Sequence, residues 1–289
     1  MRFVNFVTVD QGVRRPGIGA LRPDGSIVDL NKTEPSLRPP LGTIILKEAE
    51  ALDLARQTAA RPDAVLAQDP QLLAPILPSK VICIGLNYRD HALETKSPIP
   101  EEPVVFNKFR TAITGPNAEI RLPRESPEVD FEGELVVVIG TFGRRIPRDR
   151  AMDYVFGYTI GHDVSARDWQ KNKGGKQWLL GKSFDTFAPL GPAVVTKDEI
   201  PDPHALKIQT RVNGEVMQDS NTSEMIFRID ELIAYISQVA TLEPGDLIYT
   251  GTPAGVGVAR SPQRFLKPGD VVEIEIEKLG VLRNACVAD

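Results

Sequence analysis

The chain has almost no cysteine: two in 289 residues, Cys83 and Cys286, far apart and outside any Cys-x-x-Cys pair. That argues against a disulfide framework and a thiolate metal site, and predicts two reduced, buried thiols in a cytoplasmic protein. Histidine is nearly as scarce. Only His91, His162 and His204 could serve as an unperturbed base near neutral pH. No basic run occurs and the formal net charge is -5, which argues against a nucleic-acid partner. Apolar runs such as Leu135 to Ile139 are far too short to span a bilayer. The opening MRFVNFVTVDQG has no apolar signal core, so neither membrane insertion nor secretion is expected. Internal repeats and low-complexity tracts are also missing.

What is present suits a globular protein with a sizeable core: 42% hydrophobic and 25% charged residues. Residues 1–77 read as a small N-terminal α+β domain. Phe3, Val4, Phe6, Val7 and Val9 suggest strands, Pro23-Asp24-Gly25-Ser26 a turn, and residues 43–60 a helix. Pro62, Pro70, Pro75 and Pro78 punctuate a boundary. From 78 to 289 the pattern is mostly β. Strands are expected over Val81–Gly85, Glu134–Gly140 and Val272–Ile276, with a hairpin at Asn213-Gly214. Ile229, Leu232, Ile233, Ile236 and Val239 predict one good helix, ended by Pro244-Gly245. Shorter helices are expected over 149–155 and from Ser165, where Ser165 and Asp168 have capping-box spacing. Many short strands and few helices predict a β-dominated α+β fold, not a doubly wound sheet.

Chemistry concentrates in a few places. In Asp130-Phe131-Glu132-Gly133-Glu134, Glu132 and Glu134 would share one strand face, where like charges repel unless a proton, a base or a cation offsets them. Asp163 follows another apolar run. Three carboxylates suit Mg²⁺, Mn²⁺ or Ca²⁺ rather than zinc, although a solvated strand edge would carry the same acids. His91 and Glu94 would share a helix face, as a base and its orienter or as a plain surface pair. His204 sits in a polar loop and reads as structural, and His162 would point away from Asp163 in an extended stretch. Gly181-Lys182-Ser183 resembles the end of a phosphate-binding loop, but position 176 is lysine where glycine is required. Lys182 is then a costly buried cation unless carboxylates or an anionic substrate pair it. Thr250 to Gly257 is a glycine-rich turn that could present N–H groups to an anion.

Together these segments resemble the fumarylacetoacetate hydrolase superfamily over residues 78–289. The carriers are GLNYRDHALE (85–94), EPVVFNKF (102–109), DFEGELVVVIG (130–140), GHDVSARDWQ (161–170), GKSFDTFAPLGP (181–192) and GDLIYTGTPAGVG (245–257). The stretch 176–204 looks most like its domain-containing-protein-2 branch. The resemblance implies a mixed β-roll or sandwich and, in relatives, commonly a homodimer. It implies a divalent metal on Glu132, Glu134 and Asp163. His91 and Glu94 would activate water or move a proton, and Lys182 would steady negative charge. Lys108, Arg167, Gln170 and Thr252 would line the site of a small keto-acid substrate. The first expectation is C–C hydrolysis of an acylpyruvate or fumarylpyruvate. Alternatives are oxaloacetate tautomerisation or decarboxylation, isomerisation of an unsaturated 2-hydroxy dicarboxylic acid, or a non-catalytic metal-stabilised binding protein.

Overall fold

The computed structural model describes residues 1–46, 48–66 and 70–289. Its strands are β1 (Arg2–Asp10), β2 (Val13–Leu21), β3 (Ile27–Asp29), β4 (Gln71–Leu73), β5 (Val81–Gly85), β6 (Val104–Asn107), β7 (Ile113–Thr114), β8 (Ile120–Leu122) and β9 (Val129–Asp130). They continue with β10 (Gly133–Ile139), β11 (Val155–His162), β12 (Ser165–Ala166), β13 (Ala188–Thr196), β14 (Lys207–Val212), β15 (Glu215–Asn221), β16 (Leu247–Tyr249), β17 (Val271–Ile276) and β18 (Gly280–Ala288). The helices are α1 (Leu30–Thr33), α2 (Gly42–Leu46), α3 (Glu48–Ala59), α4 (Arg89–Glu94), α5 (Arg167–Lys171), α6 (Leu179–Lys182) and α7 (Ile229–Val239). The β-dominated α+β class expected from the sequence is what the chain adopts.

Eleven strands form one mixed sheet, in the order β3-β2-β1-β13-β11-β10-β16-β5-β6, with β4 on β1 and β7 on β13. A second sheet runs β15-β14-β17-β18-β8. Strand β1 pairs antiparallel with β13, so the first strands of the chain and the central ones belong to one ladder. Strand β10 is buried along its whole length, which is why it reads as an unbroken apolar run rather than an alternation. Its residues serve two cores. Leu135, Val137 and Ile139 pack with Leu232 and Ile233 of α7, whereas Val136 and Val138 pack with Phe3 and Leu190. Strand β17 does alternate: Val272, Ile274 and Ile276 are buried and Glu275 is exposed.

The Asn213-Gly214 turn has φ of 53° and 81°, the left-handed pair a two-residue hairpin requires. Helix α7 spans Ile229–Val239 as the periodicity predicts, but its last apolar residue, Val239, is exposed. Two expectations fail for local reasons. Residues Arg148–Tyr154 form a 3-10 rather than an α-helix; Arg150 N–H donates to Pro147 O, three residues back. Ser165 makes no capping box. It pairs with Asp130 in the β12–β9 ladder and its hydroxyl donates to Asp163 O, while Asp168 takes its hydrogen bond from Ser126. The helix expected over 43–60 appears as α2 and α3; residue 47 lies outside the described residues.

Candidate active site

The β10–β11 register brings the acids together. Gly133 lies opposite His162 and Glu134 opposite Gly161, and Asp163 N–H donates to Glu132 O at 2.9 Å. The antiparallel ladder therefore continues one pair further, with Glu132 facing Asp163. Residues directly opposite share a face, as do residues two apart on one strand, so Glu132, Glu134 and Asp163 all project from the same side. One carboxylate oxygen from each lies within 4.8 Å of the others, and all three residues are buried. His162 belongs to the other face, as expected; burial, with Lys108 nearby, pulls its pKa down to about 3 and keeps it neutral. Gly133 has a further function: a side chain there would strike Thr210 and Ile274 of the second sheet.

Three cations answer these acids. Lys182, at the end of α6, donates to Glu132 Oε2 at 2.8 Å and Asp163 Oδ2 at 2.6 Å. Burial disfavours its charge, but the two carboxylates outweigh burial and hold its pKa above the ordinary value. Arg167 lies 2.6 Å from Glu132 Oε1 and donates through Nε to Asp130 Oδ2 at 2.8 Å. Burial pushes Glu132 up, yet Arg167 and Lys182 outweigh it and leave the carboxyl far below the usual range. Lys108 Nζ donates to the carbonyls of Val164, Lys182 and Phe187 and lies 2.7 Å from Asp163 Oδ1. Its three N–H groups are aimed at carbonyls, so its tie to Asp163 is one of charge rather than a directed hydrogen bond.

Glu134 is different. Gly251 N–H donates to its Oε2 at 2.8 Å, and no cation reaches it among the described residues. Burial, with Asp163 and Glu132 close by, pushes its pKa well above the carboxylate range. Four buried acids (Asp130, Glu132, Glu134, Asp163) face three buried cations, which leaves one acid without a countercharge. A hard divalent cation fits this donor set. Each carboxylate retains lone pairs beyond those used by Lys182 and Arg167, and Glu134 has the charge to spend.

The His91–Glu94 pair sits on α4, with His91 lining the same cavity as the acids. His91 Nδ1 lies 3.3 Å from Glu94 Oε2, as their spacing predicts. Both Glu94 oxygens also accept from Gly255 N–H, at 3.0 and 3.1 Å. The glycine-rich turn after β16 thus holds Glu94 through Gly255 and Glu134 through Gly251, both glycines at positive φ. Thr252 is committed to the scaffold: its hydroxyl donates to Gly133 O and accepts from Gln218 Nε2. Eight of the ten expected site residues line one cavity of about 280 Å³. Glu94 stands behind His91, and Lys108 is not brought to the cavity but braces Asp163 from behind. His204 is structural, as expected: its Nε2 accepts from Ile229 N–H at the start of α7.

The cavity also contains residues that sequence reasoning passed over. Trp178, Phe106 and Gly85 form one wall, and Lys171 lies at its exposed edge. Asp130 is the hidden hinge of the site. It accepts from Phe131, Gly257 and Val258 N–H and from Arg167. Its place two residues before Glu132 was the available signal.

The family model for the C-terminal region of fumarylacetoacetate (FAA) hydrolase matches residues 80–287. The chain belongs to the fumarylacetoacetate hydrolase family. It is 52% identical over 289 residues to oxaloacetate tautomerase fahd2, mitochondrial, of Xenopus laevis, covering 99% of this chain and 90% of that one. It is 53% identical over 266 residues to oxaloacetate tautomerase FAHD2A, mitochondrial, of Homo sapiens, covering 91% and 84%. Among solved structures, fumarylacetoacetate hydrolase of Exiguobacterium antarcticum superposes with a TM-score of 0.86 at 37% identity, covering both chains fully. A 2-hydroxyhepta-2,4-diene-1,7-dioate isomerase of Mycobacterium marinum gives 0.77 at 38%, covering 100% and 99%. These relatives make the chain an enzyme of small-molecule substrates, in the branch that segment 176–204 resembles. Both tautomerase names carry the word mitochondrial, so the cytoplasmic expectation gains nothing from them. Two free buried thiols separate reducing from oxidising surroundings, not one reducing compartment from another. No helix among the described residues is long and apolar enough to cross a membrane.

Proposed function

We propose that this enzyme interconverts the keto and enol forms of oxaloacetate, using a divalent cation held by Glu132, Glu134 and Asp163. The observation that carries the reading is the 52% identity across nearly the whole chain to a relative named oxaloacetate tautomerase. It reverses the order in which the sequence ranked hydrolysis and tautomerisation. The geometry supports it: a base, a buried acid cluster and the two cations Lys182 and Arg167 meet in one small cavity.

A hard cation such as Mg²⁺ or Mn²⁺ would supply Lewis-acid stabilisation of negative charge on the keto oxygen. The rest falls to the chain. His91 takes a proton from the methylene carbon beside the keto group and delivers it to the keto oxygen to give the enol, and the reverse direction returns it from oxygen to carbon. Glu94, pinned by Gly255, keeps the imidazole turned toward the cavity. Lys182 holds positive charge beside the acid cluster without being consumed, because Glu132 and Asp163 fix its ammonium. Gln170 Oε1 accepts from Arg167 at 3.0 Å, which turns its amide N–H groups toward the substrate. Lys171, exposed at the rim with no ion-pair partner among the described residues, is free to meet a second carboxylate. Keto–enol exchange needs only this carbon-to-oxygen proton transfer, whereas C–C hydrolysis also needs a water aimed at a distal carbonyl.

The test is NMR exchange of oxaloacetate with Mg²⁺ or Mn²⁺, run beside an acylpyruvate cleavage assay. Acceleration of keto–enol exchange that is lost on metal removal is expected. Acylpyruvate cleavage with no effect on oxaloacetate exchange would overturn the reading in favour of a hydrolase.

A further inference from the structure

The aromatic wall of the cavity has a construction of its own. Trp178 immediately precedes α6, and Lys182 follows four residues later, so the indole and the ammonium lie on one face of the same turn. The ring packs on two residues of strands β5 and β6. It rests on the bare α-carbon of Gly85: a Cβ there would lie inside van der Waals contact of Trp178 Cζ3 and only 2.8 Å from Cη2. Phe106, on the neighbouring strand β6, meets the ring edge-on, with ring centroids 5.3 Å apart and planes at 64°. Phe106 in turn lies under Lys182, whose Nζ is 5.0 Å from its ring centroid. Helix α6 can sit this close because Gly181 has no side chain; a Cβ would meet Gln170 N at 2.5 Å. The cavity this wall borders, about 280 Å³, is just under the roughly 300–1,000 Å³ usual for small-molecule sites.

We propose that Trp178 is the specificity-determining wall of the site, limiting it to oxo acids of about four-carbon length. The proposal deepens the keto–enol reading and rests on it for the identity of the reacting end. The acids and Lys182 fix one end of the substrate, and the indole stands at a set distance from them because one helical turn carries both. A longer chain must displace a ring that Gly85 and Phe106 hold in place. Phe106 and Gly85 position the ring; Trp178 itself meets the substrate.

Two readouts test this with Trp178→Ala and Trp178→Phe in the Mn²⁺-loaded protein. The first is kcat/KM for enolisation of the four-, five- and six-carbon oxo-diacids oxaloacetate, 2-oxoglutarate and 2-oxoadipate. The second needs no chemistry: dissociation constants for oxalate and 2-oxoadipate by calorimetry. Trp178→Ala is expected to shift the 2-oxoadipate-to-oxalate ratio toward the longer acid by about tenfold, the scale of a methylene-sized pocket change. Trp178→Phe should shift it less, in the same direction, and carries the test alone if the alanine variant does not fold. A folded variant whose ratio stays within about twofold of the parent's overturns the proposal. A shifted ratio in a protein that enolises none of the three acids would leave this wall standing and remove the reaction assigned to it.

Discussion

Strand β16 has a buried carboxylate at each end, and the two are treated oppositely. Asp246, just before the strand, accepts from Lys80 N–H at 3.0 Å and Glu243 N–H at 2.7 Å, and Lys80 Nζ lies 2.8 Å away. Glu134, on the neighbouring strand, meets the strand's other end through one N–H, that of Gly251. Burial pushes both carboxyls above their ordinary pKa, but donors restrain Asp246, while Glu134 is driven well above by burial and the acids beside it. Burial and the carboxyl group are shared; the number of donors differs. An acid with its full set of donors is part of the frame. An acid left short of them is a place where a cation or a proton is expected to arrive.

The sharpest way to break the contrast is to remove charge at the under-served end. Glu134→Gln should lower keto–enol exchange by about a hundredfold or more, at least the loss expected when support around a metal ligand is removed. Its melting temperature without metal should hold or rise, because the amide needs neither the charge nor the proton that burial and the neighbouring acids make costly there. Added Mn²⁺ should stabilise the parent more than the variant. Unchanged exchange together with equal Mn²⁺ stabilisation would show that Glu134 is framework after all. The same assay separates the base from the binding site. His91→Ala should cost roughly 10²–10⁴ in rate, the usual worth of a positioned base, while leaving Mn²⁺ stabilisation intact. Loss of both effects would place His91 among the metal's supports instead.

Most of this contrast could be read before the fold was known, because it follows from period. Strand alternation puts Glu132 and Glu134 on one face, and helical spacing puts His91 and Glu94 together. Both rules act over two or three residues. What escaped notice acts over long separations. Asp130 is saturated by N–H groups of residues 257 and 258. Lys108, expected in the cavity, is caged by carbonyls 56 to 79 residues away and ends up behind Asp163. Trp178 matters because of a missing side chain at position 85, and no local pattern announces that contact. The Ser165 cap failed for the same reason: a strand partner at residue 130 claimed that stretch first.

The well-served end should fail in the opposite way. Asp246→Ala strands two part-buried N–H groups and part of the Lys80 ammonium. It should cost about 3 kcal/mol of stability, read from urea unfolding, with little change in kcat per folded molecule. A stable Asp246→Ala protein with lost activity would put the two ends of β16 in the same class.

Asp270 gives the smallest effect and the test of generality. It accepts from Arg264 Nη2, Lys267 N–H and Asn213 Nδ2, at 2.7 to 2.8 Å, so by the same count it belongs with Asp246. Burial raises its pKa, but the Arg264, Lys267 and Asn213 bonds outweigh burial, and the net shift is downward. A carboxyl with a lower pKa folded than unfolded binds fewer protons in the native state. Its contribution is therefore complete above the unfolded value of 3.8 and is lost as pH falls through the folded one. Asp270→Asn should cost about 1 kcal/mol or less near neutrality, since the group is only partly shielded from solvent. The gap between parent and variant should narrow steadily below about pH 4. A gap that stayed constant into strong acid would mean that Asp270 acts through packing, and that counting donors does not by itself distinguish framework acids from working ones.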